Sequence, residues 1–244
     1  MPAHQMPSWM SRLVKRGLDH APSRQETIEM QSPLSTALPE GGFPMGAVVE
    51  LVSPANVGHG LGVALAACAQ SQRQSAQHGG EMAWCAFIDP DRTLFGPAVE
   101  ASGVRLERLL VLHPPRSLLA ATAVRAASSR LFSVIVVDVA SVPGIRTSPA
   151  SVRAESMQAW WKAARRLALA VENTNTTLFL LTKAEAHRAS SLPVALRVEL
   201  ENRGFDGLAV RVAKEKHGRV TQPRHIAWTR PGQRHLDEAS GGWS

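Results

Sequence analysis

The 244-residue chain has no apolar run near the ~18–20 residues that a membrane-spanning helix needs. Its first residues carry no continuous apolar segment of the signal-peptide kind, so neither a leader nor a membrane association is expected. Cysteine is nearly missing: only Cys68 and Cys85 occur. No Cys/His set has zinc-ligand spacing, so no structural zinc site and no metal are expected. One cysteine falls in an apolar helix pattern and the other in an apolar strand. They read as buried free thiols in a reducing compartment, and the expected location is cytoplasmic. No internal repeat is present. What the chain does have is 44% hydrophobic residues, enough for a sizeable core, and a net charge of +7. A basic balance suits a nucleic acid or an acidic partner, and equally a solvated basic surface.

The most informative stretch runs from Pro44 to Cys68. A β-branched run, residues 46–52, leads into the loop Ser53 to Gly60, and an Ala-rich helix former follows from Leu61. Strand, tight loop and helix in this order form the skeleton of a phosphate-binding loop, in which a helix N-terminus and backbone N–H groups face an anion. The working motif is G-x-x-x-x-G-K-[ST]. Here its positions are Ser53, Gly58, His59 and Gly60, so only the second glycine is kept. The lysine that reaches the β/γ-phosphates is replaced by a histidine with an ordinary pKa of about 6.5. The hydroxyl that holds Mg²⁺ is replaced by a residue without a side chain. The frame of a nucleotide site is present and its chemistry is largely missing. The same segment also suits an ordinary strand–turn–helix of any α/β protein.

Residues 1–38 read as an arm. Ser8 to Leu18 can form a short amphipathic helix with Trp9, Leu13 and Val14 on one side, and the chain beyond it is punctuated by Pro22, Pro33 and Pro39. From residue 39 to 229 strands and helices alternate. Strands are expected at 82–88, 108–112, 132–138 and 176–182. Helices are expected at 94–101, at 117–130 with Leu118, Ala121, Val124 and Ala127 inward, and at 151–171 with Met157, Trp160, Ala164, Leu167 and Val171 inward. Such alternation implies a mostly parallel sheet covered on both faces. Residues 194–200, 208–212 and 225–228 read as antiparallel additions at the C-terminal edge, and 230–244 as a loose tail.

Several segments then line up in order: Phe43-Pro44-Met45-Gly46 entering the first core strand, Cys85 to Asp89 with Asp91 beyond, Val134 to Asp138, and Thr177 to Lys183 after a long helix. In this order they resemble the RecA-type recombinase core from about residue 38 to 230. They look most like the RecA-like accessory protein of the translesion mutagenesis cassette, the ImuA family, with a likeness to the SulA group as well. The resemblance implies an α/β, RecA-like P-loop core with a mostly parallel twisted sheet.

The resemblance also assigns roles. Asp138 matches the acidic residue that orients water on Mg²⁺. Asp91 stands near the recombinase glutamate that positions the attacking water, one methylene shorter. Lys183 stands where recombinases carry a γ-phosphate-sensing glutamine. The first DNA-reading loop, 139–152, matches poorly, and the second, 184–192, is short and offers no aromatic for base stacking. The implied function is a non-enzymatic accessory role in damage-induced, error-prone synthesis, with no cofactor. Its implied partners are RecA, an inactive Y-family-like polymerase homologue of the ImuB type and an error-prone replicative-type polymerase. DNA contact is expected to be weak and non-specific. A DNA-dependent ATPase and a cell-division inhibitor of the SulA type are the rival readings. Candidate partner-binding residues are Trp9, Leu13 and Leu18 in the arm, Trp161 off the buried stripe of its helix, and Trp243 in the tail.

Overall fold

The computed structural model describes residues 26–31, 33–54, 58–139, 150–184, 192–204 and 207–228, with side chains of the last long helix described from residue 158. Ten strands occur among them: β1 (Thr27–Glu29), β2 (Gly42–Pro44), β3 (Ala47–Ser53), β4 (Trp84–Ile88), β5 (Leu109–Leu112), β6 (Phe132–Asp138), β7 (Thr177–Lys183), β8 (Leu196–Asn202), β9 (Gly207–Glu215) and β10 (Arg224–Ala227). The α-helices are α1 (His59–Gln77), α2 (Gly96–Ala101), α3 (Leu119–Ser128) and α4 (Ala150–Val171). The main sheet has the order β10-β9-β8-β3-β7-β6-β4-β5. The six strands from β8 to β5 are parallel; β9 pairs antiparallel with β8, and β10 antiparallel with β9. β8 therefore extends the parallel sheet beside β3, against the expectation that it belongs with the antiparallel additions.

The central strands are apolar in both registers because both of their faces are covered. Val49, Leu51, Val134, Val136, Phe179 and Leu181 point into one core with Val63, Ala64, Ala67 and Cys68 of α1. Val48, Ile135, Val137, Leu178 and Leu180 point into a second core with α3 and α4. Full burial of such side chains stabilises by about 1.5–3 kcal/mol each. On α4 the expected stripe of Trp160, Ala164, Leu167 and Val171 is buried. On α3 the stripe is rotated: Leu119, Ala123, Ala126 and Ala127 are buried, whereas Leu118 is 54% exposed. Adjacent leucines at the start of an Ala-rich helix leave the sequence little contrast to fix its face.

The core also begins earlier than residue 39. β1 pairs antiparallel with β2, and Ile28, Met30, Leu34, Ala37 and Leu38 are buried in the α1-side core. Phe43 of β2 sets its ring edge-on to Phe179 of β7, with centroids 4.9 Å apart. Such a pair adds about 0.5–1.5 kcal/mol beyond its buried area. The hairpin is thus pinned to the centre of the sheet. Residues 1–25 and 229–244, with Trp9, Leu13, Leu18 and Trp243, lie outside the described residues, as do 140–149 and 185–191 of the two loop regions.

Candidate nucleotide-binding site

The parallel strands end together along one edge of the sheet, the place where α/β sheets take ligands. β7 lies between β3 and β6, so Ser53 is level with Lys183 while Asp138 is level with Leu181. The Ala184 N–H donates to the Ser53 carbonyl at 2.9 Å, and the Val139 N–H donates to the Leu181 carbonyl at 3.1 Å. These bonds close the strand ends. Ser53, Asp138 and Lys183 are thereby brought to one rim.

The loop leaves β3 at Ser53 and enters α1 through Gly58, whose φ of +64° lies in the left-handed region that glycine adopts without strain. Residues 55–57 are not described. The Gly62 N–H donates to the Gly58 carbonyl at 3.0 Å, starting the helix, and among the described residues no side chain caps it. His59, at the lysine position, is only 3% exposed. Its imidazole is packed into the protein. At Gly60 a Cβ would lie 3.3 Å from Ser53 Oγ and 3.8 Å from both Leu51 Cβ and Leu181 Cδ2. The serine hydroxyl on the strand thus crowds the space that a threonine side chain at the head of the helix would use.

The Asp91 region is structural in a way the sequence hid. The buried carboxylate at the end of β4 is Asp89, fully shielded from solvent. It accepts from the Asp91 N–H at 3.1 Å and the Leu94 N–H at 2.8 Å, an Asx-type cap of the loop. The Nδ1–H of His113 donates to the Asp89 carbonyl at 2.7 Å, tying this loop to the chain beyond β5. Asp91 itself pairs with Arg116, with Oδ1 2.6 Å from Nη2 and 2.9 Å from Nε. A partly exposed pair of this kind contributes about 0–1 kcal/mol, but it holds the carboxylate on an arginine. The clue to Asp89 lay in Asp-Pro-Asp following an apolar strand, a turn signature in which either carboxylate can face inward.

A second buried acid went unnoticed in the sequence. Glu50, on the same side of β3 as Val48, is fully shielded. The Thr182 hydroxyl donates to its Oε1 at 2.9 Å. Arg197 of β8 lies 3.9 Å from Oε2 and 3.2 Å from Glu199, which in turn meets Arg211 of β9 at 3.3 Å. This chain of charges ties the strand that carries the phosphate loop to the edge strands. Among the described residues no group of three or more His, Cys, Asp or Glu is placed to hold a metal. Trp161 is 38% exposed, off the buried stripe, with Arg165 stacked 5.2 Å from its ring centroid.

A mostly parallel sheet with a loop-to-helix turn at the end of a central strand, and a further strand inserted between that strand and the acidic one, defines a RecA-like P-loop architecture. Residues 14–186 match the RecA N-terminal domain family, well over half of the chain, and the chain belongs to that family. Over 102 residues it is 33% identical to Protein RecA of Oceanobacillus iheyensis. That match covers 42% of this chain and 27% of the relative, so the chain spans about a quarter of the curated relative it matches.

Proposed function

We propose that this protein is a non-enzymatic, RecA-like accessory subunit of damage-induced, error-prone DNA synthesis, acting by contact. Its partners on this reading are RecA, an inactive ImuB-type polymerase homologue and an error-prone replicative-type polymerase, in the cytoplasm. The contacts are assigned to Trp9, Leu13 and Leu18, to Trp161 and to Trp243. A chain that keeps the protomer shape and gives up turnover can cap a filament instead of extending it, leaving damaged sites to the mutagenic polymerase.

The observation that carries this reading is the state of the phosphate loop. P-loop phosphoryl transfer depends on a lysine at the β/γ-phosphates and a hydroxyl ligand on Mg²⁺. Here the lysine position is a buried His59, and the hydroxyl position is a glycine whose side-chain space is crowded by Ser53. Asp138 and Lys183 remain at the rim as vestiges, and Asp91 is engaged by Arg116. Binding to DNA, where it occurs, rests on Lys and Arg contacts to phosphates and falls steeply between about 50 and 200 mM salt. The test is steady-state ATP hydrolysis with single-stranded DNA and Mg²⁺. Background turnover is expected; turnover near that of an active recombinase, abolished by Asp138→Ala, overturns the reading in favour of a DNA-dependent ATPase.

A further inference from the structure

The outer surface of α3 and α4 differs in its charges from the β8–β9 edge. Around the β8–β9 edge, arginines are matched by acids: Arg203 by Glu201, Arg211 by Glu199, and Arg219 by Glu215 and Glu40. Across α3 and the turn after it, residues 119–131, and along α4 from 158 to 171, there is no Asp or Glu at all. The same surface exposes Arg125, Arg130, Lys162, Arg165 and Arg166. Among the described residues no carboxylate pairs with any of the five; the acids that flank these stretches in sequence are Asp138 after α3, and Glu155 and Glu172 on either side of 158–171.

Apolar groups are interleaved with these cations. Trp161, Arg165 and Leu169 recur at four-residue spacing and so share one face of α4. Leu169 is 71% exposed, and Leu131, at the foot of α3, is 69% exposed. Arg130 and Leu131 line a shallow pocket of about 380 Å³ together with Asn173, two residues beyond α4. The stacked Trp161–Arg165 pair is already ordered, so less freedom is lost when a partner covers it. Tryptophan and arginine are also the residues that most often dominate binding energy.

We propose that this α3–α4 face is the docking surface for an acidic, amphipathic segment of a partner protein. Carboxylates of that segment meet the unmatched cations, and its leucine- or phenylalanine-type side chains cover Trp161, Leu169 and the pocket at Leu131. Charge complementarity selects the sign of the partner. The exposed leucines select a protein over a nucleic acid, because they offer nothing to a phosphate backbone, and Arg165 already occupies a ring face of Trp161 that a base would need. The inference extends the contact role given to Trp161 and does not depend on which protein supplies the segment.

The experiment is fluorescence anisotropy of a short labelled peptide with an amphipathic Glu/Leu pattern, titrated with the full chain. A Gln-for-Glu counterpart and a single-stranded oligonucleotide are run in parallel. The acidic peptide binds, and the triple change Lys162→Glu, Arg165→Glu, Arg166→Glu weakens it by about tenfold or more. Leu169→Asp weakens it as well. Reversing three exposed cations elsewhere (Arg92→Glu, Arg203→Glu, Lys216→Glu) leaves it within about twofold, as net charge alone contributes little at moderate salt. All changes are at exposed positions, and matching thermal unfolding midpoints show that the variants are folded. Equal losses in the two triple variants, or equal binding of the Gln peptide, overturn the proposal. So does an oligonucleotide that binds through Lys162, Arg165 and Arg166 more tightly than the peptide, which makes the face a nucleic-acid surface. Loss of the acidic-peptide site leaves the phosphate-loop reading untouched, since the two rest on opposite regions of the fold.

Discussion

Ser53 Oγ lies 3.3 Å from where a Cβ on Gly60 would stand. Two of the three departures from the phosphate-loop motif, a serine for the first glycine and a glycine for the hydroxyl residue, are therefore one spatial exchange. A side chain has moved from the head of the helix to the end of the strand. Restoring His59→Lys and Gly60→Thr without touching Ser53 overpacks the loop and costs about 1–3 kcal/mol. Adding Ser53→Gly relieves most of that cost, a non-additive result expected of neighbours in contact. Urea unfolding of the four combinations measures the coupling; additive effects would show that the loop yields and that Ser53 does not limit it.

Glu50 and Arg197 lie opposite one another on β3 and β8. Arg197→Met removes an adjacent cation from a fully buried carboxylate and costs about 3 kcal/mol. Pairing it with Glu50→Gln recovers part of the loss, because the buried negative charge that Arg197 faces is then gone. The check is the shift in denaturation midpoint across the double-mutant cycle. A change below about 0.5 kcal/mol for Arg197→Met would place the pair with ordinary surface bridges.

Cys68 and Cys85 are both free and fully buried, as two isolated cysteines in apolar elements suggested. The Cys85 thiol donates toward the Cys68 carbonyl at 3.8 Å. The side-chain hydrogen bond with Cys85, and then burial, push the Cys68 thiol well above its ordinary value. Thiolate is the reactive form, which the raised value at Cys68 disfavours, and both sulfurs are shielded from reagent, so at about pH 8 neither cysteine should react with an aromatic disulfide reagent in the native protein. Two equivalents should appear on unfolding. A fast-reacting thiol in the folded chain would contradict the packing between α1 and β4.

How far the sequence carried can be judged from individual elements. β6 and β7 were legible because strands covered on both faces must be apolar at every position, and few other elements are. β1 was not, because Thr27–Glu29 is three residues long, sits among polar residues, and pairs with a strand beyond two short turns; nothing local reveals its partner. The phosphate loop was legible residue by residue, but the exchange between Ser53 and Gly60 is a fact of distance. Asp91 drew attention by analogy, whereas Asp89 is the acid that turns inward and caps the loop. Glu50 looked like a break in an apolar run; its partners, Thr182 and Arg197, are more than a hundred residues away in sequence.

On the reading proposed above, this RecA-family chain acts by contact and not by turnover. The most direct measurement is RecA-promoted strand exchange with increasing amounts of this protein, intact, lacking residues 1–25, or lacking 229–244. The first deletion stops at residue 25 because Ile28 to Leu38 belong to the core. Intact protein is expected to bind RecA and to slow exchange in proportion to its amount, with at least one truncation relieving the inhibition. Intact protein that neither binds RecA nor slows exchange would contradict the RecA contact, and inhibition unchanged by both truncations would move that contact from the arms to the core.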